Sequence, residues 1–220
     1  TTFDVFGKWG WQMNPLMTDD GWHFHNRNLT SAEIIRNLYE TILKAGQPYD
    51  MLILGCNTIG HLGAGLMHMH RVGDDTSGRI WERSLRMGVN ALAFRLPQHR
   101  TFFDIDADCI GIMETLPWKQ NKVWGELLAK SGTSLFVSAK PGVLNEEEKK
   151  ELAAFLMTNS KQDKTAVPLD WEYTSYPEDW ELLGEKVHLD YDYEDGPMAL
   201  QGKTRSFELK HIFHLTEYRW

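Results

Sequence analysis

Arg71 and Asp75 stand four residues apart, directly after a short run, Met67 to Val72, in which apolar residues alternate with His and Arg. A carboxylate that donates a proton in a reaction needs a tuned acidity and a neighbour that positions it. A guanidinium close by can orient that acid or hold hydroxyl groups. The same two residues in a plain loop form an ordinary ion pair, so spacing alone leaves both readings open. Three further places carry polar residues just after an apolar run: Gly55-Cys56-Asn57, Asp104 to Asp108, and Ser138-Ala139. In a parallel α/β fold such places are the C-terminal ends of strands, where functional groups collect. A barrel brings those ends together around one pocket.

Other clusters point elsewhere and are weaker. Asp104, Asp106 and Asp108 invite a calcium ion, but the stretch lacks the glycine and the distal glutamate of an EF-hand loop. His23 with His25, and His68 with His70, each offer two imidazoles with no third ligand in view, so no metal is expected. No cofactor is expected either. There is no GxGxxG after a strand, no Walker A loop and no GxSxG elbow. Cys56 as a nucleophile would need a paired histidine, and the nearness of His61 and His70 in sequence fixes no geometry. The run Asp190 to Asp195 reads as a solvated acidic strand and turn.

The elements that must position these groups can be read from periodicity. Thr30-Ser31-Ala32-Glu33 fits a capping box, and Ile35, Leu38, Tyr39, Ile42 and Leu43 repeat at helical spacing until Gly46 and Pro48. Met51 to Leu54 is a continuous apolar run suited to a strand buried on both faces. Met67 to Val72 reads as another strand. Residues 78–88 read as a helix closed by Gly88, and a further strand lies within 89–112. Pro117 opens a helix that Gly132 closes. Ser134 to Ser138 reads as a buried strand, and Asn145 caps the next helix with Glu146, Glu147 and Glu148 against its dipole. From about residue 165 the pattern becomes short alternating segments, such as Val187 to Tyr191 and Ser206 to Leu209, which predict antiparallel β structure.

The expected fold class is therefore α/β. Strands alternate with helices through about four units in residues 1–162, and a small antiparallel β region occupies 163–220. A closed (β/α)8 barrel needs eight units, so the count fits half of one.

Composition narrows the function. The 220 residues carry a net charge of −8 and no basic stripe, which argues against nucleic-acid binding. No apolar run is long enough to span a membrane. The two cysteines, Cys56 and Cys109, make neither a disulfide framework nor a CxxC motif. The nine Trp, seven Tyr and ten Phe often adjoin polar residues, as in Lys8-Trp9-Gly10-Trp11. Such walls suit the apolar C–H faces of sugars, although aromatic residues also simply fill large cores.

Taken in order, Cys56-Asn57, Arg71-x-x-x-Asp75, Asp106-Ala107-Asp108 and the segment from Trp124 to Ser138 resemble the second half of the catalytic barrel of the α-galactosidases, glycoside hydrolase families 27 and 36, also called melibiases. The resemblance covers roughly residues 1–160. It implies a (β/α)8 TIM-type barrel and hydrolysis of terminal α-galactosides with retention, through two carboxylates about 5–5.5 Å apart. It implies that Asp75 is the acid/base, with the adjacent Asp74 as a competing assignment. Arg71 becomes a residue that binds substrate or orients the acid, and Cys56 and Asn57 become neighbours of the sugar 2-hydroxyl. Trp9 and Asp106 complete the expected substrate contacts.

One feature departs from the family pattern. The family nucleophile is an Asp two residues after a Lys, and no Lys-x-Asp stands near Thr1. The expectation is that the nucleophile lies just before Thr1, with Asp4 as the substitute within these residues. The expected partners are an α-galactoside oligosaccharide or glycoconjugate, and either the missing N-terminal half or a second copy of the chain. The rival expectation is a non-catalytic carbohydrate-binding protein derived from the same barrel.

Overall fold

Thr30 and Glu33 open the first helix as their spacing predicts. The Glu33 N–H donates to Thr30 Oγ1 at 3.3 Å, and the Thr30 N–H donates to Glu33 Oε2 at 2.7 Å. Two otherwise orphaned donors are satisfied at once, an arrangement that contributes about 1 kcal/mol. In the computed structural model, which describes residues 2–4, 25–76 and 78–192, this helix is α1 (Ser31–Gly46). The described chain forms two compact units. The first runs to Arg71 and includes Gln98–Asp104; the second takes Val72–Pro97 and the chain from Ile105 on.

The first unit packs α1 against three strands. They are β1 (Thr2–Asp4), β2 (Leu54–Cys56) and β3 (Met69–Arg71), all parallel in the order β1-β2-β3. Ile35 and Tyr39 of α1 meet Ile53 and Met67 in the core, with Leu38, Ile42, Leu43, Ile59, Leu62 and Leu66 around them. This is the i, i+3/i+4 face predicted from sequence.

β2 lies further along than the apolar run suggests. Met51 and Leu52 are 37% and 63% exposed, and only Ile53 of the approach is buried. Ile53 is fastened by His68. The Ile53 N–H donates to His68 Nδ1 at 3.1 Å, and the Ile53 carbonyl accepts from the His68 and Met69 N–H groups at 3.0 and 3.1 Å. The ladder then runs through Gly55, where any Cβ would collide with the Met67 sulfur and the His70 ring. The strand thus passes through a glycine at position 55 because a side chain there would collide with Met67 and His70. Apolar periodicity does not report that constraint.

The second unit begins with a helical stretch from α2 (Trp81–Ser84) through a π-helical turn (Leu85–Val89) into α3 (Asn90–Arg95). The expected stop at Gly88 is corrected: the helix continues seven residues beyond it, to Arg95. Gly88 sits inside the π turn, where a Cβ would lie 2.8 Å from the Trp124 ring and 3.0 Å from Thr76 Cγ2. The glycine serves close packing rather than termination.

β4 (Asp104–Ile112) and β5 (Ser134–Ala139) pair in parallel, flanked by α4 (Trp118–Lys130) and α5 (Glu146–Asn159). Gly132, at φ +76°, turns the chain from α4 into β5. α5 starts on the expected Asn145 capping box, with Asn145 Oδ1 accepting from the Glu147 and Glu148 N–H groups at 2.9 Å each. Leu85, Val89, Leu92, Ile105, Ile110, Trp124, Leu127 and Leu128 are almost fully buried and form the core. β5 differs from expectation: it is only half covered, with Phe136 38% exposed.

The expected antiparallel region is present as β6 (Val167–Pro168), β7 (Asp179–Leu182) and β8 (Glu185–His188). Its Trp180, Leu182 and Tyr191 are almost fully buried. The Trp180 indole and the Tyr191 hydroxyl both donate to the Pro177 carbonyl, at 2.6 and 2.5 Å. Burial lifts the Tyr191 phenol far above its usual range. The Trp81 indole donates to the Tyr191 carbonyl at 2.7 Å, tying the small sheet to α2. The predicted segment Ser206 to Leu209 lies outside the described residues. Parallel strands alternating with helices, followed by a small antiparallel sheet, make an α/β fold compatible with part of an α/β barrel.

Candidate functional site

The parallel register of the first unit lines up three of the predicted residues. Asp4 of β1 is the Cα partner of Cys56 of β2. β2 and β3 pair with an offset of fifteen, Leu54 with Met69 and Gly55 with His70, and the same offset continued sets Cys56 level with Arg71. Each of the three is the last residue of its strand, so Asp4, Cys56 and Arg71 form one row at the C-terminal edge. The Arg71 Nη1 lies 4.0 Å from Cys56 Sγ.

Asn57 follows Cys56 with φ at +52°, in the left-handed region, and is exposed. The next two residues are anchored on both sides. The Thr58 hydroxyl hydrogen-bonds His70 Nε2 of β3. The Ile59 N–H donates to the Tyr39 hydroxyl of α1 at 3.0 Å. A little further on, Arg36 Nη1 of α1 donates to the Leu62 carbonyl at 3.2 Å. The His70 ring stacks on Phe103 with centroids 4.6 Å apart and planes 23° from parallel. Burial holds the His70 imidazole below its usual pKa, with a backbone group of Arg71 partly offsetting this. Burial likewise pushes the Tyr39 phenol up, against the hydrogen bond it accepts from Ile59.

In the second unit, Asp74, Asp75 and Thr76 form a turn whose backbone is fixed from two directions. On one side, Arg83 of α2 donates from Nε to the Asp75 carbonyl at 2.7 Å and from Nη2 to Asp74 Oδ2 at 3.1 Å. Asp74 Oδ1 also accepts the Asp75 N–H at 2.7 Å. On the other side, Asp108 Oδ2 accepts the Thr76 N–H at 2.6 Å. The Thr76 hydroxyl lies 2.9 Å from both that oxygen and the Cys109 carbonyl. The Trp124 indole reaches the same Cys109 carbonyl at 3.2 Å. Both aspartates of the pair are exposed, yet they differ: the Asp74 carboxylate is engaged in holding the turn, and the Asp75 backbone is what the turn holds.

Asp106 and Asp108 reach their places through a bulge in β4. The register to β5 slips between Asp106, opposite Ser134, and Cys109, opposite Phe136. Asp108 absorbs the extra residue at φ +73°, a conformation in which Asp is among the better-tolerated residues. The Asp108 N–H donates to Asp106 Oδ1 at 2.7 Å. Asp106, expected to meet substrate, is 95% buried and braces the bulge that aims Asp108 at Thr76. Asp104, the third carboxylate of the run, lies 3.7 Å from His99 Nδ1 and 3.9 Å from Arg100 Nε.

The structure thus brings Cys56 and Arg71 together, with the Asp4 backbone in the same row, and pins the Asp75 turn separately within the second unit. The side chain of Asp4 and the whole of Trp9 lie outside the described residues. Sequence reasoning weighed His70 only as a metal ligand or thiol partner and Tyr39 only as a helix-face residue, and did not pick out Thr58, Thr76 or Arg83. Thr58 and Thr76 each directly follow a predicted site residue, and that adjacency was the available signal.

No protein family matches the chain, and no curated protein does. Among solved structures, the chain is similar to an α-galactosidase from Thermus thermophilus, determined in complex with p-nitrophenyl α-D-galactopyranoside. The two share 22% sequence identity, with a TM-score of 0.46 over 72% of this chain and 32% of that one. The chain therefore spans about a third of the length of that structure.

Proposed function

We propose that this chain supplies part of the active site of a retaining glycoside hydrolase acting on terminal α-galactosides, with Asp75 as the acid/base. The observation that carries the reading is the anchoring of one exposed aspartate from both sides. Arg83 holds its carbonyl, and Asp108 holds the N–H of the next residue. An acid that must protonate a leaving oxygen and then activate water needs a carboxyl that is reachable and a backbone that does not wander. Asp75 is exposed, its turn is held on both sides, and it stands four residues after Arg71. This favours Asp75 over its neighbour.

The strand-end row supports the second half of the mechanism. Asp4, Cys56 and Arg71 end adjacent strands at one level, the kind of position where barrel enzymes carry catalytic and binding groups. In the double displacement, a carboxylate nucleophile attacks the anomeric carbon while Asp75 protonates the departing oxygen. Asp75 then takes a proton from water, which releases the sugar from the carboxylate with net retention. Arg71 and Cys56 border the sugar. The half-barrel architecture of a (β/α)8 fold belongs to the same proposal.

The deciding experiment is Asp75→Asn in the intact protein, assayed on an aryl α-galactoside. The expected result is a fall in kcat of at least about a hundredfold, in line with the loss of a general acid. Unchanged kcat rejects the assignment. Galactoside binding without turnover in the unmutated protein would replace the enzyme by a carbohydrate-binding module.

A further inference from the structure

Five tryptophans stand among the described residues, and four of them direct the indole N–H into the fold. Trp81 donates to the Tyr191 carbonyl, Trp118 to Glu151, Trp124 to the Cys109 carbonyl and Trp180 to the Pro177 carbonyl. Trp171 differs from all of them. It is 50% exposed, and its indole N–H has no hydrogen-bond partner among the described residues. An indole left in water forgoes the stabilisation that burying its large apolar face would bring.

The turn beneath Trp171 is nevertheless held firmly. It closes with the Tyr173 N–H donating to the Asp170 carbonyl at 2.9 Å. The Asp170 carboxylate accepts the Glu178 and Asp179 N–H groups at 3.1 and 3.3 Å. Further along, Asn90 of α3 donates to the Ser175 carbonyl at 2.7 Å. Phe94, one turn after Asn90, meets the indole edge to face, with centroids 6.4 Å apart and planes at 82°. Phe94 is itself 43% exposed, so the pair stays open to water. Trp171 is thus presented at the surface on a fixed backbone, the condition a binding surface needs before its ligand arrives.

The surroundings narrow what such a surface can take. Tyr173 is 79% exposed, and the exposed Glu172 between the two rings forms no ion pair among the described residues. Asp170, Glu172, Glu178 and Asp179 make this stretch acidic, which disfavours an anionic ligand. A peptide strand is also disfavoured. β6 is the edge of the small sheet, and its Pro168 offers no N–H. A purely apolar protein surface would cover the rings but strip water from the indole N–H and the Glu172 carboxylate without replacing its hydrogen bonds. A neutral sugar answers both needs. Its C–H face stacks on the indole, and its hydroxyls bond the N–H and the carboxylate.

We propose that Trp171, with Phe94 behind it and Glu172 and Tyr173 beside it, is a binding platform for a neutral oligosaccharide or polysaccharide. It uses none of the residues that hold the Asp75 turn. The platform rests on the glycosidase reading above only for the choice of sugar: it retains a long saccharide whose terminal α-galactoside is the substrate.

Two measurements on the intact protein test this, with soluble galactomannan as the probe. In native gel electrophoresis with the polymer cast into the gel, the unmutated protein is expected to be retarded. Trp171→Ala should bind about fivefold to tenfold more weakly, and Trp171→Phe, which keeps a ring, should stay within about threefold. On an aryl α-galactoside, which is too small to need the platform, kcat/KM of W171A should stay within about twofold of the unmutated value. Should W171A fail to fold, Trp171→Leu keeps apolar bulk against Phe94 without a ring and is held to the same comparison. Unchanged retardation of the variant overturns the proposal. So do equal losses on polymer and aryl galactoside, which would make Trp171 a structural residue. Sedimentation showing a dimer that W171A dissociates would give the surface to a second copy of the chain and overturn it as well. Retardation that depends on Trp171 in a protein that cleaves no α-galactoside keeps the platform and overturns the glycosidase reading. Cleavage without retardation overturns the platform alone.

Discussion

One carboxylate oxygen of Asp108 accepts the backbone N–H of Thr76 at 2.6 Å and lies 2.9 Å from the Thr76 hydroxyl. The two residues are thirty-two positions apart. The bond joins the bulge of β4 to the turn that carries Asp75, so the shape of that turn depends on a distant register slip.

Removing the Asp108 carboxylate should therefore cost both stability and activity. Asp108→Ala leaves the half-buried Thr76 N–H unsatisfied and places a less tolerant residue at φ +73°. The expected destabilisation is about 2–3 kcal/mol, since hydrogen bonds to a charged group are the stronger kind and the orphaned donor adds its own cost. Asp108→Asn keeps an acceptor and a residue at ease in the left-handed region, and should lose less than half as much. Urea unfolding of the two variants checks the order, and equal losses would show that the Thr76 bond contributes nothing.

Gly88→Ala sets helix propensity against packing. In an open helix the change stabilises by about 1 kcal/mol. Here the new methyl would lie 2.8 Å from the Trp124 ring, which is 1% exposed and has nowhere to move. Overpacking of that kind costs about 1–3 kcal/mol, so the net effect should be a lower melting temperature. A rise would mean that the π turn relaxes to ordinary α-helix at no cost.

What the sequence discloses about this chain follows from how local each feature is. Both capping boxes, at Thr30–Glu33 and Asn145–Glu148, lie where expected because four consecutive residues contain the whole interaction. The alternation of parallel strands with helices is legible for the same reason. β2 is displaced from its apolar run because its position is set by His68 and Met67 across a ladder. The π turn is hidden because Gly88 answers to Trp124, thirty-six residues away. In the candidate site, residues at strand ends such as Cys56 and Arg71 are visible from the sudden change from apolar to polar. Their supports are not, since Tyr39, Thr58 and His70 come from three separate segments. The brace that Asp106 provides to the bulge is equally hidden, because an acidic residue at a strand end looks the same in sequence whether it faces a ligand or holds a backbone N–H.

His70 and His188 should give the folding stability two opposite pH slopes. Burial lowers the His70 pKa below 6.5 in the folded state. Below pH 6.5 the unfolded chain then binds the proton more readily, so stability contributed by the neutral ring is present above 6.5 and falls as pH drops toward the folded value. The hydrogen bond that His188 Nδ1 donates to the Asp179 carboxylate, at 2.8 Å, raises the His188 pKa above 6.5. Its contribution is present below 6.5 and fades as pH rises through the folded value. His188 is 61% exposed, so its slope should be the smaller and should shrink further in high salt. Urea unfolding between pH 5 and 8 should show H70F flattening the acid side and His188→Gln the neutral side. The opposite assignment would contradict both placements.

Arg83→Met separates holding the Asp75 turn from holding the fold. The Arg83–Asp74 ion pair is exposed on both sides, 39% and 61%, and pairs of that kind contribute between about 0 and 1 kcal/mol. Methionine preserves most of the stem and its packing. Stability should thus change by less than about 1 kcal/mol. The turn, however, loses the donor to the Asp75 carbonyl, and the acid is free to drift. If Asp75 acts on an α-galactoside, kcat should fall by about tenfold or more while the melting temperature barely moves, since small misplacements of a catalytic group are costly. Loss of stability in step with activity would make Arg83 a structural residue and remove the strongest reason for preferring Asp75 over Asp74.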